Sequence, residues 1–534
     1  MAERRLKLCG WGYEDDGLSD AETETLIGRL ADRYDLGAAE RRPPPPMDAL
    51  SLPKPKLEAP ETLKSFCSVD AYDRATHTYG KSLPEYVNIF DNRFDNAPDF
   101  VAYARDEDDI AAVLDWAAGA KAAVIPFGGG TSVVGGVEPV VGGGFNGAVS
   151  LDLTRLDAVI EVDKTSRAAR IQGGIRVPAM EAALKPQGLT MRHFPQSFEM
   201  ATLGGMIATR SGGHFATLYT HIDDFVESLR MVTPQGILES RRLPGSGAGP
   251  SPDRFMIGSE GAVGIITEAW MRLQDRPVHR GSAAVLFDDF YKAAEAVRAL
   301  SQSALFPSNL RLLDSGEAYN NGFGDGAQSV LVLAFESADH PVDAWTARGL
   351  EICRDHGGVY EDAAASDPEA HRSGAAGAWR NAFIRMPHYR EVLISLGVIG
   401  DTFETSITWD RFRGFHDRVK AATLAAIEEA TGQPGNVTCR FTHVYPDGPA
   451  PYFTFQGMGR DGALIEQWRH IKQQASGAVI AEGGTITHHH AVGRDHMPWY
   501  ERQRPDLFGD VLAAAKARLD PAGILNPGVI VPAA

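Results

Sequence analysis

The spacing of apolar and polar positions changes character along the chain. Residues 20–36 carry only a weak helical period. They lead into RRPPPPMDALSLPKPKLEAP, whose prolines remove amide donors and fix φ. That stretch is expected to lie extended over a surface or to act as a stiff linker. From about residue 95 short strands and helices are mixed. VAYA (101–104) reads as a strand. In DEDDIAAVLDWAAGAKA, Ile110, Val113, Leu114 and Ala117 fall at helical spacing behind a first turn of acids. AAVIPF, VSLDL, AVIEVD and ARIQGG read as further strands, SLRMVT-PQG-ILES as a hairpin, and GIITEAWMRL as the closing strand. Several of these strands are joined by tight turns, so an α+β fold is expected rather than a regular parallel α/β one.

Beyond residue 280 glycine thins out. Amphipathic helices are expected at 288–301, 341–356, 411–431 and 463–475, with strands SVLVLAF (329–335) and PYFTF (451–455) between them. This pattern describes a second α+β domain. The tail FGDVLAAAKARLDPAGILNPGVI reads as a helix, a turn and a short apolar strand that packs back on the body. The expected division is an extension and Pro-rich linker (1–60), a glycine-rich domain (61–275), a cap domain (276–500) and a C-terminal segment (501–534). A chain of 534 residues is too long for one core, which agrees.

Composition narrows the function classes. Hydrophobic residues make up 43% and charged residues 23%, as in soluble globular proteins. The net charge of −18 repels phosphate backbones and anionic membrane surfaces, so no nucleic-acid partner is expected. Cys9, Cys67, Cys353 and Cys439 are far apart and form no CxxC pair. Neither a disulfide framework nor a cysteine metal site is expected, and a reducing cytoplasm fits. The N-terminus lacks an apolar signal core, no run approaches a membrane span, and VIVPAA is not a peroxisomal address.

Chemistry concentrates in a few places. After AAVIPF come Gly128, Gly129, Gly130, Thr131 and Ser132, with Gly135 and Gly136 close behind. Successive glycines permit positive φ and close approach, and their amides can converge on an anion such as a pyrophosphate. An isolated GGG can equally be a flexible surface loop. It is not the GxGxxG of a dinucleotide-binding βαβ unit. In the second domain Arg311, Arg411 and Arg440 stand amid aromatics; each could clamp a phosphate or carboxylate, or sit in an ordinary salt bridge. Tyr452 lies in an alternating strand, as core or as an acid/base. On a strand, His488 and His490 would share a face. A histidine metal site lacks an HxxxH pattern, and none is expected.

Two later segments, PQSFEMATLGGMIATRSGGH (195–214) and MIGSEGAVGIITEAWMRL (256–273), join the glycine loop in order and spacing. Together they resemble the FAD-binding domain of the vanillyl-alcohol-oxidase / p-cresol-methylhydroxylase superfamily. The resemblance implies a two-subdomain FAD-binding fold plus an α+β cap. It implies that Pro126, Gly128, Gly129, Gly130, Thr131 and Ser132 hold the pyrophosphate side. His193, Pro195, Ser197, Thr202, Gly204, Gly205 and Ser211 would line the flavin, and Glu260, Gly261 and Ile266 the adenine and ribose end. Covalent members attach FAD through His or Cys near these loops; Thr131 here implies a non-covalent cofactor.

GWGY (10–13), RLLD, FETS-x-x-WDR, TCR-x-T and HHH-x-VG extend the likeness over nearly the whole chain. This set resembles the alkyldihydroxyacetonephosphate synthase family, which makes the ether bond of ether lipids. The resemblance implies Tyr452, His488, His489 and His490 as catalytic and Arg311 and Arg411 as phosphate-binding. It implies exchange of the acyl chain of acyl-dihydroxyacetone phosphate for a fatty alcohol through a flavin N5 adduct, without net redox. It also implies a homodimer, and a lipid substrate makes peripheral membrane contact an expectation beside the cytoplasmic location that the cysteines fit. The chain departs from the family pattern at His77, where an arginine is usual, and at Gln196, where an acid is usual. The alternative is a flavin-dependent 2-hydroxy-acid dehydrogenase or oxidase of the D-lactate or glycolate type. It shares THVYPDG and GG-TITHHHAVG, but here YPDGPA stands for the usual GDGN and His489 for the usual Glu.

Overall fold

A computed structural model describes residues 4–34, 36, 41–219, 221–322, 325–360 and 385–532. Ala533 and Ala534, which complete VIVPAA, lie outside the described residues. The fold is α+β, with three main sheets.

In the first sheet, strands Phe100–Tyr103 and Ala122–Phe127 flank Gly147–Asp152, both in parallel. Helix Glu107–Ala120 connects the outer pair. Asp106 caps its amides, acids fill its first turn, and Lys121 ends it with φ 51°. Its apolar stripe Ile110, Val113, Leu114 and Ala117 is buried against the sheet. The C-terminal segment returns to this sheet: Val124 donates to Ile524 O (2.8 Å) and Asn526 donates to Val124 O (3.0 Å). The tail therefore adds one bridged residue pair rather than a full strand.

The second sheet is antiparallel, in the order Val159–Asp163, Ala168–Gln172, Ile265–Arg272, Val226–Thr233, Gly236–Glu239. The last two strands form the hairpin on Pro-Gln-Gly.

The third sheet has six antiparallel strands in the order His279–Phe287, Ser329–Ser337, Asn309–Leu313, Asn436–Val444, Pro449–Met458, Val398–Glu404. Side chains alternate across a strand, and that alternation divides this sheet's labour. Leu310, Leu312, Phe403, Phe441, Phe453 and Phe455 join the core with Val297, Phe415, Val419 and Ile471 of the covering helices. The intervening positions, Arg311, Thr402, Arg440, Thr442, Tyr452 and Thr454, line a cavity on the opposite face. The Pro-rich stretch lies along the surface, with Met47, Leu50 and Leu52 against one core and Leu57 against another. Among the described residues no helix is long and apolar enough to cross a membrane.

Candidate active site

The cavity, about 380 Å³, lies between the glycine loop and the polar face of the six-stranded sheet. Its floor is main chain. Strand Ala122–Phe127 delivers residues 128–132 beside the segment 200–205. A Cβ on Gly129 would sit 1.9 Å from Met200 O, and one on Gly128 2.3 Å from Thr202 Oγ1. Gly130 adopts φ 61°, a region that glycine enters freely. Among the described residues, the amides of residues 128–132 donate no hydrogen bond to a protein acceptor. A run of such amides on a cavity wall suits a pyrophosphate. Thr202 caps helix Leu203–Ala208 through Gly205 N (3.4 Å), which draws Gly204 and Gly205 to the wall. Pro126, Pro195, Ser197, Ser211, Glu260, Gly261 and Ile266 line it as well. This cradle fits FAD.

His193 is placed differently from the expectation. It is fully buried behind the wall, its Nε2 2.8 Å from Ser211 Oγ, and a Cβ on Gly213 would strike its ring. Burial, then the nearby His221, push it down to about 3, so it supports the loop as a neutral ring. The Glu260 carboxylate is already engaged by Val492 N (2.8 Å) and Gly493 N (2.9 Å), tying the C-terminal part of the cap to the cradle. Burial raises it to about 7. His77 lies away from the cavity, held by Asp152 (3.0 Å) and Asp73 O (2.7 Å). Gln196 is on the wall.

On the cap side Arg440, Tyr452 and Glu404 are cross-strand partners on neighbouring strands. The Tyr452 hydroxyl donates to Thr402 Oγ1 (2.9 Å), and the Arg440 guanidinium stacks 3.9 Å from its ring centroid. Burial raises the Tyr452 phenol above its ordinary value, keeping it protonated. Arg440 pairs with buried Glu317. Arg311, equally buried, donates to Thr442 O (3.4 Å); burial, then the charge of Arg440, push it down to about 9. Two buried guanidiniums on one wall, one of them balanced by Glu317, could hold an anion.

Arg411 does not belong to it. It is exposed at the start of helix Trp409–Thr431 and donates to Glu482 O (2.5 Å), outside the cavity. The core-facing stripe of that helix is Phe412, Phe415, His416 and Val419, which leaves position 411 pointing outward.

The histidine run is also not a strand. Its amides turn around one carboxylate: Glu404 accepts from His488 N (2.6 Å), His489 N (3.2 Å) and His490 N (2.9 Å). Burial alone would raise Glu404, but the neighbouring imidazoles and these amides hold it down to about 2. In this wrapped form adjacent His489 and His490 both reach the cavity. His488 turns away to His221 Nε2 (3.0 Å) and the Tyr445 hydroxyl (2.8 Å). Burial holds His489 and His490 below the ordinary imidazole value, hence neutral.

Against the expectation of no metal set, ring nitrogens of His443, His488 and His489 come within 4.8 Å of one another and could hold an ion. Those nitrogens are also bonded within the protein, His443 Nε2 to Gly213 O (3.1 Å) and His488 Nδ1 to His489 Nδ1 (3.0 Å). Arg440 and Glu404 carry more of the site than their sequence context signalled. Both lie in quoted motifs, TCR and FETS; Arg440 is only one of three candidate anion clamps in the sequence, and Glu404 carries no signal there.

The fold and this site define an FAD-dependent enzyme that shares the fold of p-cresol methylhydroxylase. The "FAD binding domain" family matches residues 98–240, and "FAD linked oxidases, C-terminal domain" matches residues 276–530. The solved structure of p-cresol methylhydroxylase superposes with a TM-score of 0.67 at 15% identity, covering 88% of this chain and 94% of that one. A solved alkyldihydroxyacetonephosphate synthase superposes with a TM-score of 0.81 at 25% identity, covering 98% of each chain. The alkyldihydroxyacetonephosphate synthase of Dictyostelium discoideum is 30% identical over 501 residues, 89% of this chain and 79% of that protein. The chain belongs to the alkyldihydroxyacetonephosphate synthase family.

Proposed function

We propose that this protein exchanges the acyl chain of an acyl-dihydroxyacetone phosphate for a fatty alcohol. The observation that carries the reading is the wall opposite the cofactor cradle, where Tyr452, His489 and His490 stand with two buried arginines. In the balanced reaction the C1–oxygen bond to the acyl group breaks, a C1–oxygen bond to the alcohol forms, and a fatty acid leaves. No electron acceptor is consumed. FAD, when bound, supplies a ring that takes and returns electron density.

Arg311 and Arg440 bind the phosphate as fixed positive charges. Neutral His489 or His490 accepts the C1 proton, and protonated Tyr452 donates one, each kept by burial in the protonation state that the role requires. The cofactor is held without a covalent bond, with Thr131 where an attachment residue would stand. The reading retains the division 1–60, 61–275, 276–500 and 501–534, a homodimer, a cytoplasmic location and peripheral contact with a membrane. An exposed apolar patch of Leu507, Phe508 and Val511 on the last helix supports such contact.

Tyr452→Phe should lower turnover by about 10² while flavin content stays unchanged. Unchanged turnover would remove Tyr452 from the proton path. The assay also separates the alternative. Flavin bleaching by acyl-dihydroxyacetone phosphate with fatty acid release and no dye reduction supports the exchange. Bleaching by lactate or glycolate with dye reduction supports hydroxy-acid oxidation instead.

A further inference from the structure

Three imidazoles form a row that crosses from the cap to the glycine-rich domain. His489 Nδ1 lies 3.0 Å from His488 Nδ1, and His488 Nε2 lies 3.0 Å from His221 Nε2. His221 precedes helix Ile222–Phe225 and is bridged to Gly212, a residue of the cavity wall. Its Nδ1 lies 3.3 Å from Arg210 O.

A hydrogen bond between two ring nitrogens takes one proton, so one nitrogen donates and the other accepts. Both ends of the row fix where the protons are. Arg210 O can only accept, so His221 carries its proton on Nδ1, and the neutral ring is left with Nε2 as an acceptor. The Asp223 carboxylate, 4.0 Å from the same Nδ1, favours the same placement. At the other end Glu404 Oε2 lies 3.4 Å from His489 Nδ1, so that nitrogen carries the proton as well. Between them His488 fits in one tautomer. It accepts at Nδ1 from His489 and donates at Nε2 to His221. The Tyr445 hydroxyl, 2.8 Å from His488 Nε2, is then a second acceptor of that N–H. Burial holds all three rings below the ordinary imidazole value, hence neutral, as this arrangement requires. The lone pair left over is on His489 Nε2. Among the described residues that nitrogen has no hydrogen-bond partner, and His489 lines the cavity with its ring stacked on Tyr452 at 6.0 Å. His490 has no such row behind it; its Nδ1 faces Glu404 Oε1 at 3.8 Å.

We propose that His221 is a positioning residue for the proton transfer: through His488 it locks His489 as the Nδ1–H tautomer, and His489, with Nε2 open to the cavity, is the ring that takes the C1 proton. The identity of that proton rests on the acyl-to-alkyl exchange proposed above; the tautomer rests on the row alone. Without His221 the His488 Nε2–H loses its acceptor, and both tautomers of His488 become open. His489 can then present Nε2–H to the cavity, a form that accepts no proton there.

The test uses FAD-loaded protein dialysed against EDTA, with acyl-dihydroxyacetone phosphate and the same substrate deuterated at C1. His221→Phe should lower kcat about 10²-fold, as loss of a group that orients a catalytic imidazole does, with KM and flavin absorbance unchanged. It should also raise the deuterium isotope effect on kcat, because proton transfer is the step slowed; a merely structural role would leave that effect where it is. His221→Gln, whose side-chain oxygen can accept from His488, should recover most of the loss. In parallel, the nitrogen-15 spectrum of histidine-labelled protein without substrate reads the tautomer, with His489→Gln identifying the signals. A protonated Nδ1 and a bare Nε2 are expected on His489 in the parent, and a mixture of tautomers in His221→Phe.

If the spectra are as expected although the parent protein turns over no acyl-dihydroxyacetone phosphate, the positioning stands and the proposed reaction falls. A proton on His489 Nε2 in the parent overturns the inference. So does an isotope effect that His221→Phe does not move, or a loss that His221→Gln shares in full. Turnover lost on dialysis at full flavin absorbance would place an ion, not a proton, between His488 and His489, and overturns it too. Should His221→Phe fail to fold, the spectrum of the parent decides.

Discussion

At Gly129 a hydrogen in place of a methyl group decides whether the cradle can form. The Cβ of alanine would lie 1.9 Å from Met200 O, and the obstacle is main chain that cannot swing aside. Gly129→Ala should therefore purify with flavin absorbance near background, where the parent chain is yellow; a fully loaded variant would show that the loop does not need this approach. The triple glycine is visible in the sequence, where it reads equally as a surface loop or an anion site. What resolves the ambiguity lies some seventy residues onward, at Met200 and Thr202. No local pattern says that these two stretches meet. Arg311 shows the same limit. As a lone arginine in RLLD it could be any salt bridge, and only the approach of Arg440 from another strand makes a paired site.

At the scale of elements, period and packing decide which side chains face the chemistry. The six-stranded sheet buries its phenylalanines under helices, and the alternate positions are thereby delivered to the cavity. Arg411, in contrast, sits on the outer side of a helix. Arg311→Gln should raise KM for the phosphorylated substrate about tenfold or more, as loss of a charge-assisted contact does, whereas Arg411→Gln should leave KM unchanged. Steady-state kinetics on the two variants checks this, and a KM effect at Arg411 would return that residue to the site. HHH reads as a strand with alternating faces if only its own residues are considered. The buried carboxylate of Glu404, on the edge strand Val398–Glu404, gathers its amides and bends it, so neighbours rather than alternates reach the cavity.

For the whole molecule, burying imidazoles and a carboxylate together makes stability depend on pH. His488 and His193 are each lowered from 6.5 to about 3 by burial, so the unfolded chain takes up protons that the folded chain refuses. Their contribution is present above 6.5 and is lost as pH falls toward 3. Glu404, lowered from 4.5 to about 2, acts in the same sense further down: its contribution is present above 4.5 and fades as pH falls through that window. The thermal midpoint of the FAD-loaded protein should fall on acidification, beginning below about pH 6.5. His193→Gln should flatten the upper part of that slope. A midpoint that is level between pH 7 and 5 would show that these rings accept protons in the folded state.

By itself the sequence determined the succession of elements, the mixed α+β class, the glycine loop and the motifs that mark an FAD enzyme with a cap. All of these are written in local spacing, in the periods of strand and helix and in residues without a Cβ. The tertiary structure alone decided which polar groups share a wall: Arg440 beside Tyr452, His489 and His490 around Glu404, His221 behind His488, and Arg411 and His193 off it. Those choices depend on strand register, on which face each helix buries, and on contacts between residues hundreds of positions apart. None of these is encoded within any short stretch of chain.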